Sequence, residues 1–419
     1  MTAILDVAAL LLIAVAVLGF LNYRFLKLPP AIAMLVAGLL GGVAIVVSDQ
    51  LWPRLGIAAR LAPVAGGVDF STLLMKGMLG FLLFAGSLTV DYHELRQHLR
   101  TVLTLATVGV LLSTLIVGAG AYVLFGLVGI PVPFVYCLLF GALISPTDPV
   151  AVLALMEHLR VPRSFLVIFT GESLVNDGVG VVVFTVLLAV ATAPGSVSPA
   201  SVSLLLAQEA LGGALIGLAG GVLIVAATRR VDEPNLEVQL SVALVTGLIA
   251  LGAHLHVSAP LACVVAGVFV GNRARRHTMR DASAEALDRI WSFADYVMNA
   301  VLFLLLGLQT ATFRIGSLAH AAMVLGMIVL VIGARFVSVA LPLPLVRRGG
   351  DTPRGTAPLL TWGGLRGGIS VALALSLPPF VGRDAVLNAT YAVVVFAILV
   401  QGSTVGRLAR RFGPAGHQE

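Results

Sequence analysis

The chain has 419 residues, of which 59% are hydrophobic and only 11% are charged, and its mean hydropathy is +1.04. Soluble proteins carry about a quarter charged residues, so this composition excludes a soluble globular protein and predicts a polytopic membrane protein. The net charge of +6 is then explained by basic connections on the cytoplasmic side. We expect no enzymatic activity, no cofactor, no resident metal and no nucleic-acid partner.

Thirteen apolar runs are long enough to cross the bilayer as helices, which takes roughly 17–25 residues. These predicted spans lie at about 3–21, 29–47, 71–90, 101–127, 132–157, 163–192, 200–228, 237–254, 257–272, 291–310, 318–345, 357–379 and 386–406. Longer connections are expected at 48–70 and 273–290, and a tight turn between Gly252 and Pro260. The sequence therefore predicts an all-α membrane protein, with a transporter unit at 1–407 and a short tail at 408–419.

The basic residues predict the topology of these spans. Arginines occupy every odd-numbered connection, from Arg24 after the first span to Arg410 after the last, whereas the even-numbered connections hold only Arg54, Arg60, Arg314 and Arg383. The positive-inside rule then places the N-terminus outside and the C-terminus in the cytoplasm. Three basic residues remain inside apolar segments: Lys76, which is expected to snorkel to the interface, and Arg335 and Arg366, which need partners.

Spans five and twelve contain helix-breaking segments at 145–149 (Ser-Pro-Thr-Asp-Pro) and 363–368 (Gly-Gly-Leu-Arg-Gly-Gly). Irregular backbone at membrane depth is tolerated only where it is buried in protein or lines a cavity. The two spans run in opposite directions and lie seven spans apart, which is typical of inverted-repeat transporters with crossed broken helices. We expect free carbonyls near Ser145 and Thr147 to ligate a cation, and Arg366 to neutralise the negative end of a half-helix in span twelve.

Span six carries the residues that point most directly to function. Ser173 and Asp177 share one helical face, and Glu172 and Asn176 share the adjoining face. Asp177 lies about fourteen residues from Arg163, or ~21 Å along the helix. Asp148 is similarly deep in span five, so Asp177, Asp148, Ser173 and Thr147 are expected to form an all-oxygen site for a hard cation.

The chemistry of such a site follows from competition for one carboxylate. A desolvated acid close to a second acid holds a proton more readily than an acid in water. Asp177 is therefore expected to alternate between a proton and a metal ion, which couples the two fluxes. Glu172 and Arg335 lie at similar depths, about nine and ten residues from the inner ends of their spans, and are expected to form a structural ion pair. The roles of Glu209, Asp295 and Asn299 stay open.

The motifs at 145–149, 171–173 with Asn176-Asp177, Ala334-Arg335 and 363–367 resemble the monovalent cation:proton antiporter-1 family over essentially the whole chain. This family includes bacterial sodium/proton antiporters of the NhaP kind and eukaryotic sodium/proton exchangers. The resemblance implies that Asp177 binds the ion and the proton, with Thr147, Asp148 and Ser173 completing the site. It also implies that Asn176 supports the site and that Arg366 steadies the crossed helices.

The resemblance further implies a homodimer in the inner membrane of a prokaryote, with a core domain at about 71–192 and 318–406 and a dimerisation domain at about 1–70 and 200–310. An Asn-Asp pair, as here, resembles the electroneutral one-for-one exchangers. Many relatives have an acid in span three where this chain has Ala85, so a ligand from that helix is missing. Sodium is the expected cation, with potassium or lithium as alternatives. A cation channel and an intramembrane aspartyl protease are the rival classes.

Overall fold

In the computed structural model of the chain, the structure describes residues 2–51, 77–149, 152, 153, 155, 156, 159–192, 199–277, 279–310, 318–346 and 355–412. Lys76, Arg54, Arg60, Arg314 and residues 52–70 of the predicted connection at 48–70 lie outside these residues, whereas 48–51 are helical. The described part is almost entirely helical, and nine of its helices are long and apolar enough to cross a membrane.

The first seven helices follow the predicted spans one through seven. They are α1 (Thr2–Leu21), α2 (Pro30–Leu51), α3 (Leu79–Leu88), α4 (Tyr92–Leu127), α5 (Phe134–Ile144), α6 (Arg163–Thr192) and α7 (Pro199–Thr228). The remaining helices are α8 (Pro234–Leu255), α9 (Ala259–His277), α10 (Asp281–Thr310), α11 (Leu318–Ala340), α12 (Thr356–Gly363), α13 (Gly368–Leu375) and α14 (Arg383–Arg411). The predicted fold class, an all-α polytopic membrane protein, is confirmed.

Two helices extend well beyond the apolar runs that predict them. α4 begins at Tyr92, nine residues before the predicted span, because Asp91 caps its first turn by accepting hydrogen bonds from the amides of His93 and Glu94 at 2.8 and 3.3 Å. The predicted long connection at 273–290 is wrong, since α9 continues to His277 and α10 begins at Asp281. The predicted tight turn between Gly252 and Pro260 is present, and His256 adopts a left-handed conformation there (φ 53°).

The two interrupted spans cross at their breaks. α5 ends at Ile144, and the chain between α12 and α13 is non-helical at 364–367. The amide of Asp148 donates to the carbonyl of Leu365 at 2.8 Å, forming an isolated antiparallel bridge between the two unwound segments. This bond satisfies backbone groups that no helix can pair at this depth.

Packing divides the helices into two groups. α2 packs along α10, α7 packs along α9, and α3 packs on both α9 and α10. In the other group, α4 packs on α5 and α11, and α6 packs on α4 and α5. Close approaches within the first group rely on glycine, because a Cβ at Gly217 would lie 2.3 Å from the Ala262 carbonyl. The third helix thus packs with the group that contains α10.

Candidate functional site

Asp177 lies in the middle of α6 and is almost completely buried, with 6% of its surface exposed. Its Oδ1 atom has no hydrogen-bond partner among the described residues. A buried carboxylate oxygen without a donor is costly in a folded protein. This orphaned atom is therefore available for a proton or for a cation.

Asn176, the neighbour of Asp177, joins the break in span five to the ion pair. Its Nδ2 donates to Thr147 Oγ1 and to Glu172 Oε1, both at 2.8 Å, and its Oδ1 accepts from the amide of Thr147 at 3.3 Å. Arg335 donates from both terminal nitrogens to the two Glu172 oxygens, each at 2.8 Å. Glu172 is fully buried and its partner nearly so. These bonds hold the segment that precedes Asp148 against the face of α6.

The carbonyls of the span-five break are already engaged, contrary to the expectation that they are free ligands. The Ser145 and Pro146 carbonyls accept from Arg366 Nη1 at 2.5 and 3.0 Å, and the Ser173 hydroxyl donates to the Thr147 carbonyl. The expectation that Arg366 neutralises a half-helix end in span twelve is also wrong. The guanidinium reaches across the crossing because the carboxyl end of α5 exposes unpaired carbonyls with partial negative charge.

Asp148 is half-buried and faces the same space as Asp177. Its side chain lies directly against Gly367, where a Cβ would come within 2.6 Å of Asp148 Oδ2 and 2.8 Å of its Cβ. Glycine at 367 is thus required by this close approach. Thr147, Asp148 and Asp177 all line the same cavity.

The cavity has a volume of about 340 Å³ and separates the two groups of helices. One wall comes from the two breaks and α6, with Thr147, Asp148, Asp177 and the segment 367–370. The other wall comes from α3 and α10 and extends to Thr89, which is exposed. Four aspartates and no lysine, arginine or histidine are found among the described residues that line it.

Two of those four aspartates, Asp288 and Asp295, lie on α10 with Ser292 and Asn299. The sequence analysis singled out only Asp295 and Asn299. Spacings of four, three and four residues place all four side chains on one helical face, a signal that would have found the other two. Glu209 does not line this cavity within the described part of the chain, and Ala85 does.

Crossed interrupted helices, a buried unpartnered carboxyl group and an acidic cavity between two helix groups define a secondary transporter. The chain matches the family model described as "Sodium/hydrogen exchanger, transmembrane" over residues 10–411. The chain belongs to this family of transporters, which confirms the membership that the motifs predict.

Two curated relatives match over nearly their full length. The chain is 41% identical over 413 residues to the Na(+)/H(+) antiporter NhaP of Pseudomonas aeruginosa, covering 97% of this chain and 96% of that protein. It is 33% identical over 408 residues to the Na(+)/H(+) antiporter NhaH of Halobacillus dabanensis, covering 96% and 97%. Among solved structures, the sodium proton antiporter MjNhaP1 of Methanocaldococcus jannaschii at pH 8 superposes with a TM-score of 0.74 at 20% identity, covering 99% of both chains, and supports the fold.

Proposed function

We propose that this protein exchanges a monovalent cation, Na⁺, for H⁺ across the membrane by alternating access. The observation that carries the proposal is the buried, unpartnered Oδ1 of Asp177 at a cavity whose described lining is acidic and lacks basic side chains. Membership of the family and the names of the curated relatives support Na⁺ and H⁺ as the transported ions.

Competition for Asp177 couples the two ions. The carboxylate holds either one proton or one cation, and each loaded form carries the same net charge. The ionised, empty form leaves an uncompensated buried charge, which disfavours its passage between the two faces of the membrane. Thr147, Ser173 and Asn176 position the site, and Asp148 serves as a fixed ligand from the break in span five.

This scheme makes the exchange electroneutral, with one cation for one proton. Asn176 cannot titrate, and Glu172 is neutralised by Arg335 through two short bonds. Arg366 is held by two backbone carbonyls and keeps its charge throughout. Asp177 is then the single group whose loading changes during a half-cycle.

The two helix groups correspond to a moving core and a dimerisation domain of a homodimer in the inner membrane. The packing of α3 on α9 and α10 supports placing this helix with the dimerisation domain, so that the core comprises α4–α6 and α11–α14. With the N-terminus outside, Thr89 and Asp288 lie at cytoplasmic helix ends. The cavity then leads from the cytoplasm to Asp177, an inward-facing arrangement.

The test is proton exchange in proteoliposomes, followed with a pH-sensitive dye on addition of Na⁺, Li⁺ or K⁺. Asp177→Asn preserves the shape of the side chain but removes the titratable group, so cation-dependent exchange should fall below about a hundredth of wild type. The matched control is Asp6→Asn, an exposed acid on α1, which should leave exchange unchanged. Exchange that survives Asp177→Asn would refute the assignment, and a response to K⁺ alone would identify a potassium/proton antiporter.

A further inference from the structure

The α10 wall of the cavity carries a polar stripe that the exchange scheme leaves unused. Asp288, Ser292, Asp295 and Asn299 face the cavity from a helix whose other cavity-lining residues include Trp291 and Leu302. Polar side chains inside a membrane-spanning helix are costly and usually mark an ion pathway. The stripe therefore requires a functional explanation.

The position of α10 is fixed on both sides of this stripe. Trp291 donates from its ring nitrogen to Ser241 Oγ at 2.9 Å, and its ring packs on Phe84 with centroids 4.7 Å apart. At the deep end Leu302 lies against Gly368, where a Cβ would meet its Cδ1 at 2.3 Å. Asp295 lies between these contacts, seven residues from Leu302, or ~10 Å along the helix.

Asp295 is held in a defined orientation. Asn299, four residues on, donates from Nδ2 to Asp295 Oδ1 at 3.0 Å. A neutral amide donor orients a carboxylate without neutralising its charge. Asp148 lies on the opposite wall of the same cavity. Acidic side chains on both walls of a cavity whose described lining contains no lysine, arginine or histidine favour a cation between the walls.

A second observation shows that the cavity is built for a ligand. The Oδ1 atom of Asp177, buried and without a partner, lines the same space as Asp295. We propose that Asp295, oriented by Asn299, is an entry site that binds the monovalent cation before it reaches Asp177. This inference rests on the proposed function, because it assigns an extra step to the same cation path.

An entry site on α10 should increase the rate at which the cation binds from solution. A cleft lined by charges of one sign raises the local concentration of counter-ions and their association rate by ten-fold or more. Removing one of these charges should raise the KM for Na⁺ without changing the maximal rate. Because the attraction is electrostatic, added inert salt should weaken capture in the wild type and do so less in the variant.

The transport test compares Asp295→Asn with the wild type in proteoliposomes, at low ionic strength and with added choline chloride. We expect a KM for Na⁺ about five-fold higher at low ionic strength and a maximal rate within about two-fold of wild type. Asp295→Glu should restore the wild-type KM. Glu285→Gln, an exposed acid on the same helix, is the matched control and should change neither quantity. A KM that stays at the wild-type value, or a fall in rate alone, would overturn the proposal.

A binding experiment tests the entry site without a transport assay. Trp291 lies one turn from Asp295 and lines the cavity, and replacing Trp52 and Trp362 with Phe leaves it as the sole tryptophan. Thallium(I), a monovalent heavy ion, should quench its fluorescence saturably. The half-saturating concentration should rise about five-fold in Asp295→Asn and in Asp295→Ser. If the quenching curves of the variants and of the protein with Asp295 are the same, the entry site is refuted, even if the protein exchanges Na⁺ for H⁺. If the curves differ but the protein shows no exchange, only the proposed function is refuted.

Discussion

Removing one member of the buried ion pair between Glu172 and Arg335 should destabilise the protein more than removing both members together. Both side chains are at most 5% exposed, and the pair has two bonds of 2.8 Å. Glu172→Gln or Arg335→Met leaves one charge buried without its partner, which costs about 3–5 kcal/mol. The double variant buries neither charge, so its loss should be no greater than that of either single variant.

These energies translate into measurable shifts of the thermal midpoint in detergent. Unfolding entropy of about 2.1 cal/mol/K per residue, applied to 419 residues, gives about 1 °C per kcal/mol. Each single substitution should therefore lower the thermal midpoint by about 3–6 °C. Unfolding is monitored by intrinsic fluorescence. Losses that add in the double variant would show that the pair does not interact.

The control for this double-mutant cycle is a second Glu–Arg pair in the same protein. Arg163 Nε lies 2.5 Å from Glu94 Oε1, but the two side chains are 75% and 29% exposed. Solvent screens this pair and long exposed side chains lose entropy on pairing, so its coupling should be far smaller. The contrast between the two cycles isolates the effect of burial, because residue types are the same.

Three further outcomes test the site. Asn176→Asp should destabilise the protein strongly, because an oxygen would replace the nitrogen that lies 2.8 Å from Glu172 Oε1; an unchanged thermal midpoint would contradict this. Gly367→Ala should slow exchange at least about ten-fold by displacing Asp148, whereas Gly333→Ala, with nothing within 4 Å of the added Cβ, should not. The ratio of Na⁺ and H⁺ gradients at which net exchange stops should not change when a potassium gradient with valinomycin imposes a voltage. An exchanger that moved one net charge per cycle would gain ~2.3 kcal/mol per 100 mV, so a shift of this ratio with voltage would contradict electroneutral exchange.

Much of the fold could be predicted because the bilayer restricts the choices. Apolar runs and basic connections predicted thirteen segments, and each overlaps described helix. The bounds of α4 and α10 were missed because their first turns are polar and project beyond the apolar run. Hydropathy reports where a helix meets hydrocarbon, whereas the cap at Asp91 determines where the helix begins.

The sequence predicted which residues form the candidate site better than it predicted which groups they contact. Equal depth suggested that Glu172 and Arg335 meet, and helical spacing placed Asn176 beside Glu172. The partner of Arg366 was missed because hydropathy does not give the register at which two broken helices cross. That register is determined by close packing, such as the contact of Gly367 with Asp148, and packing of this kind leaves little trace in a single sequence.

The crossing of the two breaks has a consequence for the order in which the protein is made. Arg335 follows Glu172 by 163 residues, and Arg366 follows Ser145 by 221. During synthesis, α5 and α6 thus leave the ribosome long before the groups that neutralise Glu172 and pair the α5 carbonyls exist. Until α11 and the break between α12 and α13 arrive, these early helices must keep their polar groups protonated, hydrated or bound to other proteins. The site is therefore completed only when the last third of the chain has entered the membrane.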